Sequence, residues 1–238
     1  MTPRALHIIN ESSGPARVFV DALEERGFEI VTVSPLAGEL PESPEGFAAI
    51  LSGGGTADTH QTAEHPWLIH EVALLRGAIE ASVPTMGLCL GAQLLTEAAG
   101  GTVYRCDPPE VGWFEVETRP EAAADPVMGA LPPRFMAMQW HLYACELPGT
   151  ATELAWNAAC VQALRIGEAA WGTQFHIETT GEILVSWADM ASEELERFGY
   201  DRARYDAELA RYGPAHEAIG RDMAGRFAEV ALRQLEMV

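Results

Sequence analysis

The chain contains no lysine: all fifteen of its basic residues are arginine. That absence excludes Schiff-base lysine chemistry and a P-loop, whose lysine must reach bound phosphates. Cysteine is scarce as well. Cys89, Cys106, Cys145 and Cys160 lie far apart with no C-x-x-C pair, which fits neither a zinc motif nor a dense disulfide framework. Reduced thiols, no metal and no cofactor are therefore expected. No apolar run approaches the ~20 residues of a spanning helix. The apolar run in MTPRALHIINESSG soon meets Asn10 and Glu11, too short for a signal peptide, so a cytoplasmic location is expected. Positive charge is in deficit, giving a formal net charge of −20. Phosphate backbones and anionic lipid are repelled, so neither nucleic acid nor a membrane surface is an expected partner.

What is present reads as a folded α/β chain. Apolar residues make up 48% of the 238 positions, enough for one large domain with an appendage. In the first half, short apolar runs alternate with amphipathic segments, the pattern of a parallel sheet covered by helices. Residues 5–9, 30–33, 47–51 and 83–88 are the predicted strands. Residues 15–26 read as a helix opened by proline and stopped before Gly27. Residues 65–81 read as another, with Leu68, Val72, Leu75 and Ile79 along one face. After Gly100-Gly101 shorter strands are predicted at 102–105, 113–118, 134–138, 154–157, 160–166 and 169–175, antiparallel in part and separated by proline-rich turns such as DPPE and LPPR. From Glu182 onward the pattern is helical, with a break expected at Tyr212-Gly213-Pro214. Beyond it Ile219, Met223, Phe227 and Val230 share a face.

The chemistry centres on MGLCLGAQLL, residues 86–95. Gly87-Leu88-Cys89-Leu90-Gly91 places a thiol between two glycines where a strand turns into a helix, the arrangement of a nucleophile elbow. A Cβ at either glycine would crowd the turn. A helix N-terminus favours negative charge, so the position suits a nucleophile. A buried structural cysteine is the alternative. Farther on, WGTQFHIE ends a strand-like run with His176 and, two residues later, Glu178. In extended chain such residues face the same way, so Glu178 can orient the imidazole and leave its far nitrogen for a thiol.

GLCLGAQ (87–93) and QFHIE (174–178) together resemble the class I glutamine amidotransferases, whose glutaminase domains carry G-x-C-x-G-x-Q and, later, Q-F-H-P-E. The resemblance runs through LSGGGTAD (51–58), Pro66 to Leu68, the segment ending at Trp113, and LPGTATELAWN (147–157). It covers residues 45–190, and it is strongest to stand-alone members similar to the glutaminase part of GMP synthetase. It implies a doubly wound, mainly parallel, flavodoxin-like sheet flanked by helices. Residues 1–185 would form that domain and residues 186–238 a helical C-terminal extension packed on it or on a partner. By the same resemblance Cys89 is the nucleophile, His176 the general base and then acid, and Glu178 the orienting carboxylate. The backbone N–H groups of Gly54 and Leu90 would form the oxyanion hole, and Gln93 would help hold the substrate.

Three departures stand out. Ile177 replaces the family's proline, from which a looser His176–Glu178 spacing is expected. Gly55 also stands where proline is usual, which implies a more mobile glycine loop. His141, in MQWHLYACELP, lacks the aspartate that usually follows two residues on. It is a candidate for lining the substrate pocket, the alternative being a partly buried hydrogen-bonded histidine. SGGGTAD is off by one from a pyrophosphate loop, and His65 and His70 fall on different helix faces.

The implied activity is a cysteine hydrolase cleaving the γ-glutamyl amide of glutamine to glutamate and ammonia through a thioester. With no ATP-binding domain visible, any transfer of the ammonia to an acceptor would need a separate synthetase subunit. A stand-alone hydrolase of γ-glutamyl peptides or amines is the alternative within enzymes. A non-catalytic regulatory subunit is the alternative outside them.

Overall fold

The computed structural model describes residues 2–236. Four strands, β1 (Arg4–Ile8), β2 (Glu29–Val33), β3 (Ala49–Ser52) and β4 (Thr85–Leu88), lie where the apolar runs place them. Helices α1 (Arg17–Glu25), α2 (Trp67–Glu80) and α3 (Leu90–Ala98) lie between or after them. The second half supplies β5 (Thr102–Thr118), β6 (Arg134–Glu146), β7 (Ala151–Trp156), β8 (Val161–Ile166) and β9 (Ala170–Thr173), then α4 (Gly181–Met190), α5 (Ser192–Arg197) and α6 (Arg202–Glu236). All nine strands form one sheet in the order β2-β1-β3-β4-β9-β8-β7-β5-β6. The ladders from β2 through β9 are parallel, and those beyond β9 are antiparallel.

The parallel half is buried on both faces, so its strands read as continuous apolar runs. Ala49 and Leu51 face α1 and α6, while Ile50 between them faces α2 and α3. The stripe expected on α2 is core: Leu68 and Leu75 are buried, and Val72 and Ile79 pack against the same cluster. A third cluster lies where α4, α5 and the start of α6 cover β5 and β6, around Trp113, Met138, Trp187 and Tyr205.

Two sequence expectations are corrected. The DPPE turn does not end a strand. β5 runs through it as a bulge, with Arg105 opposite Tyr143 and Glu110 opposite His141. Pairing on both sides carries the ladder across residues that cannot all donate to it. Nor does the chain break at Tyr212-Gly213-Pro214, because α6 continues with Pro214 inside it. A mid-helix proline costs about 3 kcal/mol. The anchors on either side outweigh that: Tyr205 donates to the Leu184 carbonyl, and Phe227 sits edge-on to both Phe19 and Trp171. Truncating one buried aromatic alone costs about 3–5 kcal/mol.

Below the glycine loop that follows β3, Glu71 of α2 is fully buried. It accepts from Ser52 Oγ at 2.6 Å and from Asn10 Nδ2 at 3.2 Å, and Asn10 also donates to the Gly53 carbonyl. Burial pushes the Glu71 carboxyl up to about 7 against the lowering effect of those two hydrogen bonds. Between its ordinary 4.5 and about 7, the folded chain keeps a proton that the unfolded chain has lost, so stability falls as pH rises through that window. The effect amounts to at most about 3 kcal/mol. Glu71→Gln should remove this part of the slope. Urea unfolding of both proteins from pH 4.5 to 8 should show the variant gaining on the wild type as pH rises, and parallel curves would refute the assignment.

Candidate active site

The glycine loop, the thiol and the imidazole lie just beyond the carboxyl ends of parallel strands, where open α/β sheets bind ligands. Gly53 to Gly55 follow β3, Cys89 follows β4, and His176 follows β9.

Cys89 joins β4 to α3 at φ 52° and ψ −106°. A side chain rarely tolerates that conformation, which costs about 1–3 kcal/mol and persists only when its surroundings enforce it. The surroundings here are two close approaches. A Cβ on Gly87 would meet the Gly91 carbonyl oxygen at 2.6 Å, and a Cβ on Gly91 would meet the Ser52 carbonyl oxygen at 2.1 Å. Only glycine lets the first turn of α3 rest on the ends of β3 and β4. The Cys89 N–H donates to the Thr173 carbonyl at 2.8 Å, which ties the bend to β9.

His176 lies in the turn after β9 rather than on the strand itself. Its Nδ1 is 2.8 Å from Glu178 Oε1, a spacing with no looseness from Ile177. That side chain is fully buried, and α6 crosses so close behind it that a Cβ on Gly220 would fall 2.2 Å from the Ile177 carbonyl oxygen. The imidazole and the Cys89 side chain both face Gly54. Burial disfavours the imidazolium, but the charges and hydrogen bonds of Cys89 and Glu178 prevail and raise the His176 pKa well above the usual histidine value. Glu178 Oε2 is buried without a partner among the described residues, so the carboxylate bonds through one oxygen to the ring alone.

The remaining candidates are distributed as follows. Gly54 faces the pair: a Cβ on it would lie 3.3 Å from His176 Cε1 and 3.6 Å from Cys89 Cβ. Leu90 is the first residue of α3, so its N–H has no intrahelical acceptor. Gln93 spends its amide N–H groups on the Tyr143 carbonyl at 3.0 Å and on Gln174 Oε1 at 3.1 Å, leaving only its oxygen for a ligand. His141 lines the same cavity, but both ring nitrogens are engaged, Nδ1 with the Tyr143 carbonyl at 2.9 Å and Nε2 with Glu110 Oε2 at 3.1 Å. The cavity holds about 310 Å³, and its walls include Trp140, Trp187 and Met190 with Glu11, Asp58 and Glu194.

Several contributors escaped the sequence reading. Gln174 Nε2 donates to Cys89 Sγ at 3.6 Å. Its place in QFHIE was the one available signal. Trp187, whose ring stands edge-on to the His176 imidazole at 4.8 Å, and His216, whose Nε2 donates to the His176 carbonyl at 2.9 Å, come from beyond the motif and carry no local signature. Burial lowers the His216 pKa to about 4, so the ring is neutral and its Nε2–H can donate.

Residues 8–183 match the family model for glutamine amidotransferase class-I. The chain belongs to the class I glutamine amidotransferase family. It is 27% identical over 197 residues to the glutamine amidotransferase-like protein YfeJ of Salmonella typhimurium, covering 81% of this chain and 82% of that one. It is 30% identical to a glutamine-hydrolysing GMP synthase subunit of Pyrococcus abyssi, over 69% of this chain and 85% of the relative. A crystal structure of a glutamine amidotransferase from Thermotoga maritima superposes with a TM-score of 0.85 at 25% identity, covering 96% of this chain and 99% of the other. The enzymes of this family are amide hydrolases built on a Cys-His-Glu triad, the residue types that meet here. No helix is long and apolar enough to cross a membrane among the described residues.

The elbow supplies a direct test. Gly91→Ala drives a Cβ into backbone, which cannot swing aside, so the cost should be about 3 kcal/mol or more. Urea midpoints compared with a Gly149→Ala control, whose Cβ meets nothing within 4 Å, should differ accordingly. Equal midpoints would show that the turn yields freely.

Proposed function

We propose that this amidotransferase hydrolyses the γ-glutamyl amide of glutamine, with Cys89 as nucleophile, His176 as general base and acid, and Glu178 as the carboxylate that orients the ring. The observation that carries the reading is one buried imidazole bonded to a buried carboxylate and facing Gly54 together with the elbow thiol, at the wall of an open cavity. His176 takes the thiol proton as sulfur attacks the side-chain carbonyl carbon. The resulting oxyanion is met by the Gly54 and Leu90 N–H groups, donors of a kind that contribute about 3 kcal/mol each to the barrier. His176 returns the proton to the departing amine, and the C–N bond breaks to leave a thioester. Water then adds with His176 as base, and glutamate leaves with the thiol restored.

The GMP synthase relatives, which are named as glutamine-hydrolysing subunits, support delivery of the ammonia to a separate synthetase subunit. One observation favours a different leaving group. Among the described residues the cavity wall holds three carboxylates, Glu11, Asp58 and Glu194, and no arginine. A hydrolase of γ-glutamyl amines whose amine bears a second positive charge suits that wall better than one releasing ammonia.

Purified chain should convert glutamine to glutamate and ammonia, and Cys89→Ala or His176→Ala should lower kcat by about 10⁴-fold or more. A γ-glutamyl electrophile should label Cys89, as read by peptide mass spectrometry. Failure of both turnover and labelling, with glutamine and a panel of γ-glutamyl amines, would leave the scaffold without this activity. Higher kcat/KM for a γ-glutamyl diamine than for glutamine would decide for the second reading.

A further inference from the structure

A second cluster of reactive side chains lies behind the cavity wall, and hydrolysis has no use for it. Cys106 from β5, His141 from β6 and Cys160 at the entrance to β8 are all buried, and one ligand atom from each lies within 4.8 Å of the others. Glu110 Oε2 is 3.1 Å from His141 Nε2 and 3.8 Å from Cys160 Sγ. We propose that Cys106, His141, Cys160 and Glu110 form a closed structural site for a thiophilic divalent cation of the zinc type.

The donor set is the first argument. Two sulfurs, one imidazole nitrogen and one carboxylate oxygen suit a four-coordinate zinc ion, whereas calcium and magnesium take oxygen ligands. Bond lengths of about 2.0–2.3 Å imply tetrahedral ligand–ligand separations of about 3.3–3.8 Å. The Glu110 separations from His141 and Cys160 are close to that range, and the ligand atoms of Cys106, His141 and Cys160, within 4.8 Å of one another, would draw together by up to about 1 Å on binding.

The shell around the cluster is the second argument. A metal-binding histidine commonly donates its other ring N–H to a carbonyl, which fixes the tautomer. His141 Nδ1 is 2.9 Å from the Tyr143 carbonyl, leaving Nε2 for the ion. Asn157 Nδ2 donates to Glu110 Oε1 at 2.6 Å, and its Oδ1 accepts from the Cys160 N–H at 3.1 Å. Gln162 Nε2 reaches both Glu110 Oε2 at 2.9 Å and Cys160 Sγ at 3.3 Å, and is itself held through Oε1 by Gln139. Each protein ligand except Cys106 is thus oriented by a neighbour. The bulge in β5 explains how Cys106 joins them: five steps along β5, from Arg105 to Glu110, oppose two along β6, from Tyr143 to His141. Cys106 and Glu110, which an unbroken ladder would spread along the strand, are both brought to His141.

Cys145 shows what a merely structural thiol looks like in this chain. It is buried with its sulfur 3.8 Å from the Ala92 carbonyl and belongs to no such cluster among the described residues. The cation would take the place of the protons on two thiols and one ring nitrogen, joining β5, β6 and the loop into β8 at one point. β6 also carries Trp140, whose carbonyl is 3.9 Å from Cys89 Sγ, and Tyr143, whose carbonyl holds Gln93. The ion therefore fixes the strand that forms one wall of the reaction cavity. This assignment is independent of the hydrolytic activity.

The test uses the full chain purified without chelator from zinc-supplemented cells. Elemental mass spectrometry should find about one zinc per chain, and cobalt substitution should produce the intense thiolate-to-cobalt absorption of a sulfur-bound tetrahedral site. Cys106→Ser and Cys160→Ser should lower the metal content at least about 10-fold, while Cys145→Ser and Cys89→Ala keep it. Circular dichroism should show all four variants folded. Two results would overturn the site, and neither depends on a variant: wild-type protein that carries no zinc and gives no thiolate–cobalt band, or metal-free protein whose Cys106 and Cys160 are found joined as a disulfide. Metal retained by both folded serine variants would overturn it as well.

Discussion

The contact on which the site depends is between backbones. The first turn of α3 rests on the ends of β3 and β4 at a distance that leaves no room for a Cβ on Gly87 or Gly91. That approach forces the intervening residue into a positive-φ bend, and the bend aims the Cys89 side chain out of the sheet toward β9. A side chain on a relaxed turn would sample several directions; this one is held by packing on both sides and by the bond from its N–H to Thr173. The same closeness sets Gly54, in the loop after β3, facing Cys89 and His176, so thiol, imidazole and glycine loop are set by one geometric condition. Preorganisation of this kind matters because donors fixed before reaction need not reorient while charge develops.

The histidine half of the site is held from the opposite side. α6 passes behind residues 176–178 with Gly220 against the Ile177 carbonyl and His216 bonded to the His176 carbonyl. Below that contact Met223 and Phe227 enter the same core as α1 and β9. Burying His176 and Glu178 together removes the water that would screen their attraction, so the pair is far stronger than an exposed one. Ile177 does not loosen it, because a fully buried isoleucine under a helix is as confined as the proline the motif would otherwise carry. The C-terminal helices therefore contribute to the site as supports, and Trp187 of α4 adds a wall.

How much of this could be read from the residues follows from how local each signal is. The parallel strands, the α2 stripe and the elbow were legible because each is written in a handful of adjacent positions: apolar runs, a 3.6-residue period, two glycines around one cysteine. The histidine and glutamate were legible as a neighbouring pair. Whatever depends on residues distant in sequence was not. Pro214 looked like a stop, since the partners that hold α6 on either side of it, Leu184, Phe19 and Trp171, lie far away in the chain on other elements. The DPPE segment looked like a turn because local chemistry cannot show that β6 pairs on either side of it. The cysteines looked isolated for the same reason: 106 and 160 meet only after the sheet has been assembled in an order that chain position conceals.

The distribution of charge around the cavity bears on which amide is cleaved. A chain of formal charge −20 repels anions at long range, and the wall of its cavity adds Glu11, Asp58 and Glu194 at short range. Glutamine carries no net charge, so the long-range field neither steers nor rejects it. Its own carboxylate, however, would enter a cavity whose wall holds three carboxylates and no arginine among the described residues. A γ-glutamyl amide with an extra ammonium on its amine is attracted at both ranges, and the attraction is lost with the amine when the C–N bond breaks. Such a wall can pull the substrate in, but it also slows departure of a cationic product. Ionic strength should therefore weaken capture and speed release at once, a combination not expected for ammonia leaving a neutral substrate.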